Sequence, residues 1–225
     1  FTAGGIFANK WGSSGFRDGQ FNKPTQIVMD QEGNLLISDT RNHRIQKFSQ
    51  DGIFLTKWGG WGTEEGLFDC PMGIAIDSNG NILVVDSNNN RIQKFSSEGL
   101  FLTEWGNIGS GDGEFLYPMG IALDSNGNVY VTDHGNFRIQ KFNKDGVFLT
   151  KWGSQGSENG QFAFPTGIAV DDNDIVYVAD NGTSYGTAGM HECIQVFSDD
   201  GKFINKWFTW LHPDLVYDGF NGLII

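Results

Sequence analysis

Four histidines, two cysteines and 27 acidic residues are the groups with which this 225-residue chain could do chemistry. A catalytic zinc needs three convergent protein ligands and an open position. His43, His134, His191 and His212 fall at unequal places in the sequence pattern, so they offer no repeated or clustered ligand set. The turns Asp30-Gln-Glu-Gly-Asn34, Asp77-Ser-Asn-Gly-Asn81 and Asp124-Ser-Asn-Gly-Asn128 suggest calcium by composition. A calcium loop, however, draws six or more oxygens from a longer segment. Asp and Asn bonding their own backbone in a tight turn is the better account. No Ser-His-Asp or Gly-x-Ser-x-Gly arrangement supplies a nucleophile. Cys70 and Cys193 are too few for a disulfide framework. The expectation is no catalytic residue, no metal and no cofactor.

The elements that would position any site are set by a repeat. Trp11, Trp58, Trp105 and Trp152 are each followed by Gly and lie 47 residues apart. The same step links Phe21, Phe68, Phe115 and Phe162; Pro24, Pro71, Pro118 and Pro165; and Asp39, Asp86, Asp133 and Asp180. A period of 20–50 residues denotes a solenoid, propeller or array. Within one unit, Met72–Asp77, Asn81–Asp86, Arg91–Phe95 and Leu100–Trp105 read as strands separated by Asp/Asn/Gly/Ser turns. No stretch sustains a helical period. The expectation is an all-β propeller of four-stranded antiparallel blades, with first strands near 25–30, 72–77, 119–124 and 166–171.

The segments Pro-Met-Gly-Ile-Ala-Ile-Asp77, Asn-Gly-Asn-Ile-Leu-Val-Val-Asp86 and Asn-Arg-Ile-Gln-Lys-Phe95 resemble the NHL-repeat consensus over almost the whole chain. That resemblance implies the propeller fold. For function it implies a range: protein binding, RNA binding, or less often a lyase or hydrolase scaffold. Whole repeats span about 24–70, 71–117, 118–164 and 165–219 in a single domain over 1–225, with partial blades at 1–23 and 220–225. Residues 5–12 read as an outer strand and 220–225 as an inner one. The expectation is therefore a chain continuing beyond both ends into a six-bladed ring.

Formal net charge is −12, which repels phosphate backbones and anionic head groups. Nucleic acid is thereby disfavoured as a partner, and no apolar run is long enough for a spanning helix. In a meander, the loops before the first strand and after the second share one face, and these loops vary in sequence. The fourth unit inserts eight residues there, within Asn181–Cys193, relative to its neighbours. Trp61, Tyr185, Met190, His191 and Trp210 lie on this loop face outside the aromatic packing register, and are the candidate binding residues. Each ordinary unit pairs Asp39 with Arg44, Asp86 with Arg91 and Asp133 with Arg138, while Cys193 takes the Arg position beside Asp180. A pair repeated in every blade is architecture and cannot mark one site.

Propeller hydrolases of this kind would hold a metal at the mouth of the innermost strands. The corresponding residues, Thr25, Met72, Met119, Thr166 and Asn221, include no carboxylate or imidazole. The resemblance to amidating lyases would instead call for zinc-binding histidines, which these spacings do not supply. The reading is a non-enzymatic scaffold binding a protein or cell-surface macromolecule, with an extracellular or cell-surface setting expected over a cytoplasmic one. A metal-dependent lyase or hydrolase is the alternative, and an RNA-binding domain comes third.

Overall fold

The computed structural model describes residues 10–182 and 192–208. A short parallel pair, β1 (Ser13–Ser14) and β2 (Gln20–Phe21), precedes four antiparallel sheets. The first blade is β3 (Pro24–Met29), β4 (Leu35–Asp39), β5 (Arg44–Phe48) and β6 (Phe54–Gly59). The second is β7 (Pro71–Ile76), β8 (Ile82–Asp86), β9 (Arg91–Phe95) and β10 (Phe101–Trp105). The third is β11 (Pro118–Leu123), β12 (Val129–Asp133), β13 (Arg138–Phe142) and β14 (Phe148–Trp152). The fourth is β15 (Pro165–Val170), β16 (Val176–Asp180), β17 (Cys193–Phe197) and β18 (Phe203–Phe208). Each sheet keeps chain order, and the inner strands β3, β7, β11 and β15 neighbour one another in sequence along the propeller arc.

The inner strands end one residue before the expected boundary, because the following Asp leaves the ladder to build its turn. Asp77 Oδ1 accepts from the Asn79 and Asn81 amides at 2.9 and 2.8 Å. Its Oδ2 accepts from Asn81 Nδ2 and pairs with Lys94 Nζ, both at 2.9 Å. The equivalent Lys47–Asp30 and Lys141–Asp124 contacts are 2.8 and 3.5 Å. These carboxylates are thus committed to turn amides and a lysine, which is the chemistry of a structural turn.

Alternating strand residues meet in apolar seams between blades. The first seam joins Leu36, Ile45 and Trp58 to Ile74, Val84 and Phe95 of the next blade, and the other two seams repeat the pattern. The inner strands approach so closely that a Cβ on Gly73 would lie 2.6 Å from the Met119 carbonyl oxygen, and one on Gly120 would lie 2.4 Å from that of Thr166. Only glycine fits at either position.

At the two outer edges of the arc the same seam positions are uncovered. Trp207, the counterpart of the half-buried Trp58, Trp105 and Trp152, is 50% exposed, and Tyr177 and Ile194 are only partly buried. At the opposite edge Ile27 is exposed where its counterparts Ile74 and Ile121 are buried, and Met29 is exposed where Ile76 and Leu123 are half-buried. There Trp11 still packs on Phe48 at 4.6 Å, as its register requires. The outer strand expected over 5–12 is not seen in its described part, since residues 10–12 form no strand. The expected strand at 220–225 lies outside the described residues. No helix among the described residues is long and apolar enough to cross a membrane.

Candidate functional site

The loop face is built by locking each interblade loop onto the blade that follows it. In the second blade Asp86 is fully buried at the end of β8. Its Oδ1 accepts the Asp69 amide at 2.7 Å, and its Oδ2 accepts Arg91 Nε at 2.8 Å, Asn89 Nδ2 at 2.9 Å and Gln93 Nε2 at 3.1 Å. The donors then reach across to the 60–69 loop. Asn89 Nδ2 donates to the Gly62 carbonyl at 2.9 Å, and Arg91 donates to those of Glu64 and Leu67 at 3.0 Å each. Gln93 donates to the Leu67 carbonyl at 2.7 Å and accepts the Gly66 amide at 2.8 Å. Charged partners inside such a network strengthen each bond and fix its direction. Asp39–Arg44–Gln46 and Asp133–Arg138–Gln140 repeat the arrangement.

Trp61 stands on this fixed loop, 74% exposed, with its backbone in a parallel bridge to Phe68. It departs from the Trp-Gly register, yet it occupies a repeat position of its own. Its counterparts are Ser14, Ile108 and Gln155, bridged in the same way to Phe21, Phe115 and Phe162. All four are exposed, so the fold holds the backbone constant and leaves this side chain free to vary. Phe16, Ile108 and Tyr117, at 76%, 67% and 52% exposure, add apolar surface on the same loop face. Sequence reading missed these three because Phe16 and Ile108 sit among Gly, Ser and Asp, and because the columns that hold Ile108 and Tyr117 change residue type from blade to blade. Tyr185, Met190, His191 and Trp210 lie outside the described residues.

The fourth blade lacks the guanidinium. Cys193 pairs with Asp180 in the ladder where the other blades place Arg opposite Asp. Asp180 keeps the amide bond common to the blades, from Ala163 at 2.9 Å, and adds one from the Phe164 amide at 2.8 Å. Burial pushes its carboxyl above the usual range against these bonds, and burial beside Asp180 pushes the Cys193 thiol up to about 11. Lys206 Nζ donates to the Ser157 carbonyl at 3.0 Å, the equivalent of the Arg138 bond to the Ser110 carbonyl in the third blade. A lysine from the outer strand thus takes over one of the bonds the missing arginine would make.

At the channel mouth, Thr25 Oγ1 shares hydrogen bonds with Ser38 and Thr40 at 3.0 and 2.7 Å, and Thr166 donates to the Ala179 carbonyl. Asn221 lies outside the described residues. His134 is half-buried, its ring lies tilted against Phe164 with centroids 5.4 Å apart and it meets the Pro165 carbonyl at 3.2 Å; burial lowers its pKa. The remaining described histidine, His43, joins Asp69 and Cys70 at the seam between the first two blades, with ligand atoms within 4.8 Å of one another.

A family model for the NHL repeat matches residues 21–48, 68–95, 115–142 and 162–184, once in each blade. The chain is an NHL-repeat β-propeller. Two curated relatives carry the likeness over a single repeat's length. The B-box type zinc finger protein ncl-1 of Caenorhabditis elegans is 37% identical over 46 residues, and the protein brain tumor of Drosophila melanogaster 35% over 46. Each alignment covers 20% of this chain and 5% or 4% of the relative. Among solved structures, a virginiamycin B lyase from Staphylococcus aureus bound to quinupristin aligns with TM-score 0.61 at 18% identity, over 83% of this chain and 56% of that one. A protein of unknown function from Bacteroides caccae aligns with TM-score 0.63 at 16% identity, over 83% and 67%. At such identities the structural likeness concerns the fold. The NHL chain spans about half the length of the lyase and a small fraction of either curated relative.

Proposed function

We propose that this NHL propeller is a non-enzymatic scaffold that binds a protein partner through its loop face, with Trp61 as the anchor. The observation that carries the reading is an exposed indole on a loop whose backbone is bonded at Gly62, Glu64, Gly66, Leu67 and Asp69 by the following blade. Aromatic side chains dominate interface energetics, and a pre-ordered loop loses little entropy on binding. The threonines and methionines at the channel mouth support binding over metal-dependent catalysis. The net charge of −12 likewise weighs against RNA. Tyr185, Met190, His191 and Trp210 are proposed as further contacts on the same face. The uncovered seam faces support a six-bladed ring in the whole protein, with two blades completing the arc.

Once a partner is in hand, Trp61→Ala is expected to weaken its binding by about 2 kcal/mol or more, with thermal unfolding nearly unchanged. Calorimetric titration checks the affinity and differential scanning fluorimetry the stability. Unaltered affinity would remove Trp61 from the site.

A further inference from the structure

The position at the entry to each third strand and the residue before each blade's first proline are 27 residues apart, and they meet across the seam. In the second seam Asn90 Oδ1 accepts the Tyr117 amide at 2.8 Å, and in the third Phe137 packs against Phe164 at 6.2 Å. In the first seam the pair is His43 and Cys70, where His43 Nδ1 accepts the Cys70 amide at 3.1 Å. Here alone among the described seams the contact carries ligand chemistry, and Asp69 adds a carboxylate oxygen 3.4 Å from the same nitrogen.

From this geometry we infer that His43, Asp69 and Cys70 form an exchangeable binding site for a borderline or soft divalent metal of the zinc class. A nitrogen that accepts an amide hydrogen bears its proton on Nε2, so an unprotonated nitrogen faces a carboxylate oxygen. Two electron-rich atoms gain nothing from that approach, whereas a cation between them does. The 3.4 Å separation of nitrogen and oxygen matches the edge of a tetrahedron with metal–ligand bonds of about 2.0–2.1 Å, which is about 3.3 Å, whereas the full set, spread within 4.8 Å, must draw together for the Cys70 sulfur to join them. Thiolate with imidazole and one carboxylate selects zinc, cobalt or cadmium over calcium or magnesium. Asn88 Nδ2 donates to Asp69 Oδ1 at 3.2 Å and orients the carboxylate from outside the cluster. Three protein ligands leave a fourth position open. Loading through Nδ1 gives up the Cys70 amide bond, so binding is reversible and weaker than at a closed structural site. His43 and Asp69 retain partial solvent access, which provides the path of entry.

The test titrates the reduced protein with Co²⁺, following the thiolate-to-cobalt charge-transfer band, and with Zn²⁺ by calorimetry. One metal per chain is expected. Cys70→Ser should abolish the band. His43→Asn should weaken Zn²⁺ by at least about tenfold while preserving the seam, since asparagine already accepts the same amide at position 90. Cys193→Ser should change nothing. The proposal is overturned by the absence of saturable binding, by a band that survives Cys70→Ser or disappears in Cys193→Ser, or by a His43→Asn protein that binds Zn²⁺ as tightly as the original.

Discussion

The fully buried Asp86 is tolerable only because four donors converge on it, and its removal or that of Arg91 would strand the other partner. Breaking such a buried pair costs about 3–5 kcal/mol. Arg91→Ala is therefore expected to lower the urea midpoint strongly, and to loosen the Trp61 loop through loss of the bonds to Glu64 and Leu67. Hydrogen exchange at the Gly66 and Asp69 amides checks the second effect. The turn carboxylates act on the pH axis instead. Burial pushes Asp77 up, but the Lys94 and Asn81 bonds outweigh it and hold the folded pKa below 3.8; Asp30 and Asp124 behave alike. A lowered folded pKa means that the contribution is present above 3.8 and lost as pH falls through the folded value. Asp77→Asn should therefore be less stable than the parent at neutral pH, with the gap closing in strong acid. Chemical denaturation at a series of pH values measures it.

At the scale of strands and loops, what was legible in the sequence was whatever recurs with the period. The Trp, Phe, Pro and Asp columns at 47-residue spacing located every blade, and the Asp–Arg pairs lie where the pattern puts them. The contacts that build the loop face join different roles 27 residues apart, as from Gln93 to Gly66 and from His43 to Cys70, so self-alignment cannot display them. Trp61 illustrates the same limit. Read against the Trp-Gly column it looked irregular, although it fills a variable column with Ser14, Ile108 and Gln155. The inner-strand glycines belong to this scale too. Gly73 keeps an ordinary backbone, so Gly73→Ala acts through its clash with the Met119 carbonyl and should cost about 1–3 kcal/mol. Gly80→Ala meets nothing within 4 Å, but φ of +80° should cost it about 1–2 kcal/mol. Equilibrium urea unfolding of both variants measures the two costs, one from crowding against a backbone carbonyl and one from backbone strain in open space.

For the whole molecule, the uncovered seams decide how the arc behaves. Three seams bury the residues equivalent to Tyr177 and Ile194 and half-bury those equivalent to Trp207, whereas the fourth blade leaves Tyr177 and Ile194 partly exposed and Trp207 50% exposed. An apolar face built to seam specification, with a complementary edge at Ile27 and Met29, favours association. Residues 1–225 alone are expected to self-associate with rising concentration, and Trp207→Lys should return them to a monomer without unfolding the other blades. A longer chain that supplies two more blades should be monomeric, with the Trp207 indole shielded from acrylamide quenching to the degree of the three seam tryptophans. Sedimentation velocity and quenching on both chains give the comparison. A 225-residue chain that stays monomeric at every concentration would show that the edge is stable uncovered, and would remove the main physical ground for a six-bladed ring.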